Sequence, residues 1–253
     1  MSRFFVAPER IGADMITIED AGDLRHMMKV LRMQPGDAVD ISDGDEWEYR
    51  AEILSLNREE ALLRILDRQK CAAEPRVRVT LYQGIPKQGK METIVQKCVE
   101  LGVHRIVPVF MDRTVVVDRG NFGKKIDRWQ KVSAESVKQC RRGMIPEVSE
   151  AVKMSDVLAE LNGCTDGGMA YDLILIPYED EKGTTIRDVL REHAAEKPVS
   201  IAVFIGPEGG FSEEEVAAVT GAGGYSVTLG KTTLRTETAA MAAIAMIMYE
   251  LEL

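Results

Sequence analysis

The sequence is poor in the residues that most often advertise chemistry. Three histidines and four cysteines are scattered through 253 residues, with no Cys-x-x-Cys pair. Cys71, Cys98, Cys140 and Cys164 do not group with the histidines at ligand spacing, so no metal is expected and nothing suggests a nucleophilic cysteine. A reduced, cytoplasmic thiol set is the default. No uncharged apolar run reaches the roughly 18 residues of a membrane helix, and Ala239–Tyr249 is too short to span a bilayer. The N-terminus turns acidic after Pro8 and lacks the apolar run of a signal peptide. There is no Gly-x-x-x-x-Gly-Lys-Ser/Thr and no Gly-x-Gly-x-x-Gly, which excludes a P-loop and disfavours a dinucleotide turn. Internal repeats and low-complexity tracts are also absent.

What is present is enough apolar residue, 45%, for one large or two modest cores. The net charge of −9 by itself disfavours nucleic acid, but its distribution does not. Between Arg76 and Arg142 there are 15 Lys/Arg against 6 Asp/Glu, while the remainder carries 17 against 35. A basic segment in an acidic chain reads either as a phosphate-binding footprint or as a solvated helix face.

Turn-punctuated β segments fill the first seventy residues. Pro35-Gly36-Asp37 and Asp43-Gly44-Asp45 are turns; Ala38–Ser42, Trp47–Leu56 and Ala61–Leu66 read as strands, and Ala21–Val30 as a short helix. The pattern is that of a small barrel-like domain, and Gln69–Pro75 reads as a linker. From Arg76 strands and helices alternate, the sign of a parallel sheet. Strands are expected over Val77–Gln83, Ile106–Phe110, Asp172–Pro177, Val199–Ile205 and Tyr225–Leu229. Helices are expected over Gly89–Leu101, with Met91, Ile94, Val95 and Cys98 on its apolar face, and over Lys124–Arg141. Ala239–Leu251 is apolar nearly all round, so it is either a central helix or one that meets another subunit.

The most informative stretch is Val199–Val216. An apolar, β-branched strand breaks into Gly206-Pro-Glu-Gly-Gly210, and Ser212 with Glu215 has the spacing of a capping box that opens a helix. Glycine turns at the carboxyl end of a parallel strand are where α/β proteins bind cofactors. Glu208 inside the loop argues against a phosphate and suits amino, hydroxyl or cationic groups on the ligand.

Ile205-Gly-Pro-Glu-Gly-Gly210, followed by Leu229-Gly and Leu234-Arg-Thr-Glu-Thr-Ala239, resembles the trefoil-knotted SPOUT methyltransferases. More narrowly the chain resembles the RsmE family, which methylates N3 of a uridine in 16S ribosomal RNA. Arg3-Phe-Phe-Val6, His26 with Val30-Leu-Arg32, and Pro35-Gly36 match that family's N-terminal domain. Lys90-Met-Glu, Gln96-Lys97, Glu100-Leu-Gly-Val103, Arg113-Thr-Val-Val116, Arg128-Trp129, Gln139 and Ile145-Pro146 match its central segment. The chain departs from the family pattern at Thr232, Val99 and Lys138, and Arg142-Gly143 lacks a following Asn.

The resemblance implies an α/β fold: a knotted, parallel-sheet methyltransferase domain over residues 74–253 and a PUA-like RNA-binding β-barrel over 1–73. It also implies a homodimer acting on 16S ribosomal RNA or the small subunit. S-adenosylmethionine would be pinched by Ile205, Gly206, Glu208 and Gly210 from one turn and Leu229, Gly230 and Leu234 from the other, with Tyr178 and Glu179 at the same sheet edge. Arg235 and Glu237 are the catalytic candidates, an anchoring cation and an orienting group or base; an ion pair between structural elements is the plainer reading. Arg3, Arg25, Lys29 and Arg32 in the first domain, with Arg113, Gln139 and Arg142, are candidate RNA contacts, and ordinary surface charge is the alternative. A ribose 2′-O-methyltransferase and a non-catalytic ribosome-assembly factor remain rival readings.

Overall fold

The computed structural model describes residues 3–44, 47–71, 74–118, 120, 122–163, 171–196 and 198–252. Cys164, Asp45 of the second turn, and Ala72 and Ala73 of the expected linker lie outside them. The chain divides into two units, the first made of Met1–Glu74 with Val137–Ile145 and the second of Pro75–Ser136 with Pro146–Leu253.

The first unit is built on a five-stranded sheet in the order β1-β3-β4-β5-β2. These strands are β1 (Arg3–Phe5), β2 (Met15–Ile18), β3 (Ala38–Ser42), β4 (Trp47–Leu56) and β5 (Ala61–Lys70). β1 runs parallel to β3 and every other pair is antiparallel. The ladder of β4 with β5 is irregular at two places, where Leu66 of β5 and Leu54 of β4 are each left without a partner, as an extra residue in one strand requires. One face alternates inward, so Phe4, Ile16, Ile18, Val39, Ile41, Ala51, Ile53 and Leu63 form the core with Leu24 and Met27. Those two come from α1 (Ala21–Arg25), capped by Asp20, and the π-helical turn that continues it to Val30. β5 runs four residues beyond the expected Leu66, so Gln69 and Lys70 are strand rather than linker.

Val137–Ile145 joins this unit for an electrostatic reason. The Glu74 carboxylate accepts hydrogen bonds from Arg142 Nε and Nη2 and from the Gly143 and Met144 amides. Ser42 also donates to the Gly143 carbonyl, and Arg3 donates to that of Arg141.

The second unit is a parallel sheet in the order β12-β10-β11-β6-β7-β8, with β9 also paired to β7. Its strands are β6 (Arg78–Gly84), β7 (Arg105–Phe110), β8 (Glu147–Val148), β9 (Val152–Lys153), β10 (Leu173–Pro177), β11 (Ser200–Ile205) and β12 (Tyr225–Val227). β11 is central, between β10 and β6, and Ile201–Ile205 are buried as a strand covered on both faces must be. The helices are α2 (Lys90–Glu100), α3 (Phe122–Cys140), α4 (Met154–Gly163), α5 (Ile186–His193), α6 (Glu213–Gly221) and α7 (Thr236–Glu252). The anticipated apolar face of α2 is buried, joined by Val99. Both hydrogen bonds of the Ser212–Glu215 capping box are made. α4 and α5 were not anticipated, although Thr185 and Asp188 form a second capping box. α7 buries Ala240, Ala243, Ile244 and Ile247, while Tyr249 stands 69% exposed.

Candidate active site

β10, β11 and β12 are parallel neighbours, so their carboxyl ends place three loops side by side. These loops wall a cavity of about 430 Å³, a size suited to a cofactor. Pro177–Glu179, Ile205–Glu208 with Gly210 and Phe211, and Thr228–Thr236 line it, with Lys90 and Ala239. Tyr178, Glu179, Ile205, Gly206, Glu208, Gly210, Leu229, Gly230 and Leu234 thus meet at one cavity, and Arg235 lines it too.

The β11 turn is held from several sides. Thr236 Oγ1 donates to the Gly206 carbonyl at 2.6 Å and accepts from Gln83 Nε2 at 2.9 Å. Arg113 Nη1 donates to the Gly209 carbonyl at 3.0 Å, and Glu215 accepts from the Asp112 amide at 2.9 Å. Gly210 adopts φ +69°, where an L side chain is strained, and its missing Cβ would meet Glu179 Oε1 at 3.1 Å. The space at Gly210 therefore serves Glu179, and its backbone conformation requires glycine. Arg113, an expected RNA contact, is here a brace on the turn.

The β12 turn has the opposite character. The amides of Leu229 and of Lys231 through Arg235 make no hydrogen bond among the described residues. Backbone donors left this way need water or a ligand, and six of them beside one cavity suit the polar edge of a heterocycle and its sugar.

Charge inside the cavity is arranged differently from the expectation. Glu208 already has partners within the protein: Lys90 Nζ lies 2.9 Å from its Oε1, and the Lys87 amide donates to both its oxygens. Burial pushes the Glu208 carboxyl up, but the Lys90 hydrogen bond and the backbone amides of Glu208 and Lys87 outweigh it and hold the carboxyl below its usual range. The same bond, aided by the charges of Glu208 and Glu237, raises Lys90 and keeps it an ammonium. Glu237 is not part of the cavity lining. Among the described residues its buried Oε2 has no hydrogen-bond donor; it lies 3.5 Å from Lys90 Nζ, within ion-pair reach, so the cation it meets there is Lys90 and not Arg235. The exposed Arg235 has no ion-pair partner among the described residues.

The remaining expected RNA contacts divide. Arg25, Lys29, Arg32 and Gln139 are exposed. Arg3 is half-buried, 2.6 Å from Glu48. Arg142 is 5% exposed and locked to Glu74, so its placement is structural and not that of an RNA contact. Gly84 and Lys90 were missed as site residues. A Cβ on Gly84 would meet Pro207 N at 2.5 Å, and nothing in the sequence marks that close approach between strands 121 residues apart in numbering (84 and 205).

Comparison with known proteins identifies the class of this arrangement. An RNA methyltransferase domain family matches residues 73–248, and an RNA methyltransferase PUA domain family matches 18–66. Ribosomal RNA small subunit methyltransferase E of Bacillus subtilis is 30% identical over 91% of this chain and 89% of its own. The chain belongs to the ribosomal RNA small subunit methyltransferase E family. The Synechocystis family member is also 30% identical, over 97% of this chain and 76% of its own. The crystal structure of the Neisseria gonorrhoeae family member bound to S-adenosyl methionine superposes with a TM-score of 0.80 at 30% identity, covering 98% of this chain and 97% of that one. The expected α/β class with a parallel sheet and an N-terminal PUA domain is thereby borne out. Among the described residues no group could hold a metal and no helix is long and apolar enough to cross a membrane.

Proposed function

We propose that this chain is a knotted, S-adenosylmethionine-dependent methyltransferase that modifies N3 of a uridine in 16S ribosomal RNA. The observation that carries the reading is the meeting of two glycine-bearing turns around a cavity whose outer turn leaves six amides without a hydrogen bond among the described residues. The residues fit the cofactor: Leu229 and Lys231–Arg235 offer backbone donors, Gly210 admits the tight turn, and Glu179 and Glu208 offer carboxylates. When bound, S-adenosylmethionine supplies an electrophilic methyl group on a sulfonium.

The protein's own contribution is placement and charge. Arg235, exposed and lining the cavity, is free to take an anionic oxygen of the uracil or an RNA phosphate. Orientation of two reactants is worth roughly 7–11 kcal/mol, more than the 10²–10⁴-fold typical of a general base, so holding the base in line dominates the rate. Glu237 backs Lys90 in place of the base role expected for it. Arg25, Lys29, Arg32 and Gln139 are the RNA contacts this reading retains, since they are exposed, while the equally exposed Arg113 is engaged with the Gly209 carbonyl. The barrel unit would supply the first three to phosphates of the same RNA.

A homodimer accords with α7, where Met241, Ala242, Ala245 and Met246 are only partly buried and Tyr249 is exposed. Sedimentation of the purified protein tests it, and a monomer at micromolar concentration counts against it. A cytoplasmic site of action follows from the substrate. For the reaction itself, the protein is incubated with small ribosomal subunits and methyl-labelled S-adenosylmethionine, and the RNA is digested to nucleosides. Mass spectrometry should find 3-methyluridine. A 2′-O-methylated nucleoside, or no transfer, refutes the assignment.

A further inference from the structure

Uracil N3 carries a proton that must leave as a methyl group arrives, so the reaction requires a proton acceptor at the cavity. Glu237 lies outside the lining and faces Lys90. Glu208 lines the cavity, but Lys90 and the Lys87 amide occupy its oxygens. The Tyr178 phenol is raised above its ordinary value, by burial and then by its hydrogen bond to Asp180, so it keeps its proton. Glu179 differs from all three. It is exposed in the lining, and among the described residues its carboxylate makes no hydrogen bond and no ion pair.

That carboxylate is nonetheless firmly placed. Glu179 and Asp180 are the central residues of a turn closed by the Glu181 amide on the Tyr178 carbonyl at 3.2 Å. One end of the turn is pinned to β12 by the Tyr178 amide on the Val227 carbonyl at 2.9 Å. The other is pinned by the Glu181 carboxylate, which accepts from the Gly183 and Thr184 amides. On the β11 side Gly210, lacking a side chain, leaves Glu179 Oε1 its space. A group held by its backbone but left unengaged is what a preorganised proton acceptor requires.

We propose that Glu179 is the general base of the reaction, taking the N3 proton of the target uridine while Arg235 meets an adjacent carbonyl oxygen. This deepens the functional reading above and rests on it. The N3–H of uracil lies between two carbonyl oxygens, so its edge calls for an acceptor beside a donor. Glu179 and Arg235 line one cavity and are not paired with each other, so neither charge must be freed from the other to meet that edge. As the N3–H bond breaks, its proton goes to a Glu179 oxygen and its electron pair stays on N3. That pair forms the N3–methyl bond while the sulfur–methyl bond breaks and returns its pair to sulfur. The products are 3-methyluridine, a thioether and a protonated Glu179, from which water removes the proton. This assigns to the substrate one of the two carboxylates the cavity offers.

Glu179→Gln isolates the role, because an amide oxygen still accepts a hydrogen bond from N3–H but cannot take the proton. Single-turnover methyl transfer to small ribosomal subunits gives the chemical rate, and titration calorimetry with S-adenosylhomocysteine gives the cofactor affinity and shows the variant to be folded. The rate should fall by about 10²–10⁴-fold while that affinity stays within about threefold. The residual rate should also climb by about tenfold per pH unit through mildly alkaline pH, more steeply than the parent's, since the imide must then lose its proton to solvent. A rate within about threefold of the parent, a loss confined to S-adenosylhomocysteine affinity, or a residual rate no steeper in pH than the parent's overturns the base and leaves the functional reading standing. An intact protein that yields no 3-methyluridine overturns both.

Discussion

Gly84→Ala is the sharpest test of how the cavity is built, because its steric conflict is with backbone and cannot be relieved by a rotamer. Gly84 ends β6, one residue beyond Gln83, which pairs with Ile205 of β11. An added methyl would lie 2.5 Å from Pro207 N, 2.6 Å from its Cδ and 2.9 Å from the Gly206 carbonyl carbon. Ordinary contact begins near 3.4 Å, so the Gly206–Pro207 peptide must retreat by roughly 0.9 Å. It is held in place by the Thr236 hydroxyl on Gly206 O and by the strand pairing that precedes it. Overpacking of this kind costs about 1–3 kcal/mol. For a chain of this size each kcal/mol moves Tm by about 2–4 °C, so calorimetry should show a fall of about 2–12 °C. The displaced turn also forms one wall of the cavity, and a misplacement near 1 Å can cost up to about 100-fold in rate. S-adenosylmethionine affinity should weaken as well in isothermal titration, because the displaced turn walls the cavity that would hold it. A variant with Tm and affinity both within error of the parent would show that the close approach at Gly84 does not set the cavity.

Four further outcomes are expected. Arg235→Ala should abolish methyl transfer while leaving Tm nearly unchanged, since the side chain is exposed and has no ion-pair partner among the described residues; an active variant removes the anchoring role. Arg142→Met should lower stability by about 3 kcal/mol through the stranded Glu74 carboxylate, read by urea unfolding; a loss of RNA affinity with stability intact would restore Arg142 as a contact. Gly221→Ala should raise stability by up to about 1 kcal/mol, because it sits in α6 with open space where the methyl would go. Asp172 accepts amides of Ser200 and Val199, which hold its carboxyl below the ordinary 3.8. A depressed carboxyl stabilises the fold above its unfolded value and loses that contribution as pH falls through the folded one. Melting of Asp172→Asn should therefore trail the parent near neutral pH, and the gap should close on acidification; a gap independent of pH contradicts the assignment.

The sequence by itself determined the elements with strong local signals. Alternation located β3 and β4, an apolar β-branched run identified β11 as a central strand, and Ser212 with Glu215 marked the start of α6, because these depend on neighbours within a few residues. It also supplied both glycine turns of the site. Local pattern could not show where distant segments meet. Only the folded sheet brings Gly84 against Pro207, sets Lys90 between Glu208 and Glu237, and turns Arg142 inward onto Glu74. A cation's sequence reads the same whether it faces water, RNA or a buried carboxylate. Its role is set by the charge and desolvation of partners that arrive from elsewhere in the chain, and tertiary structure alone chooses those partners.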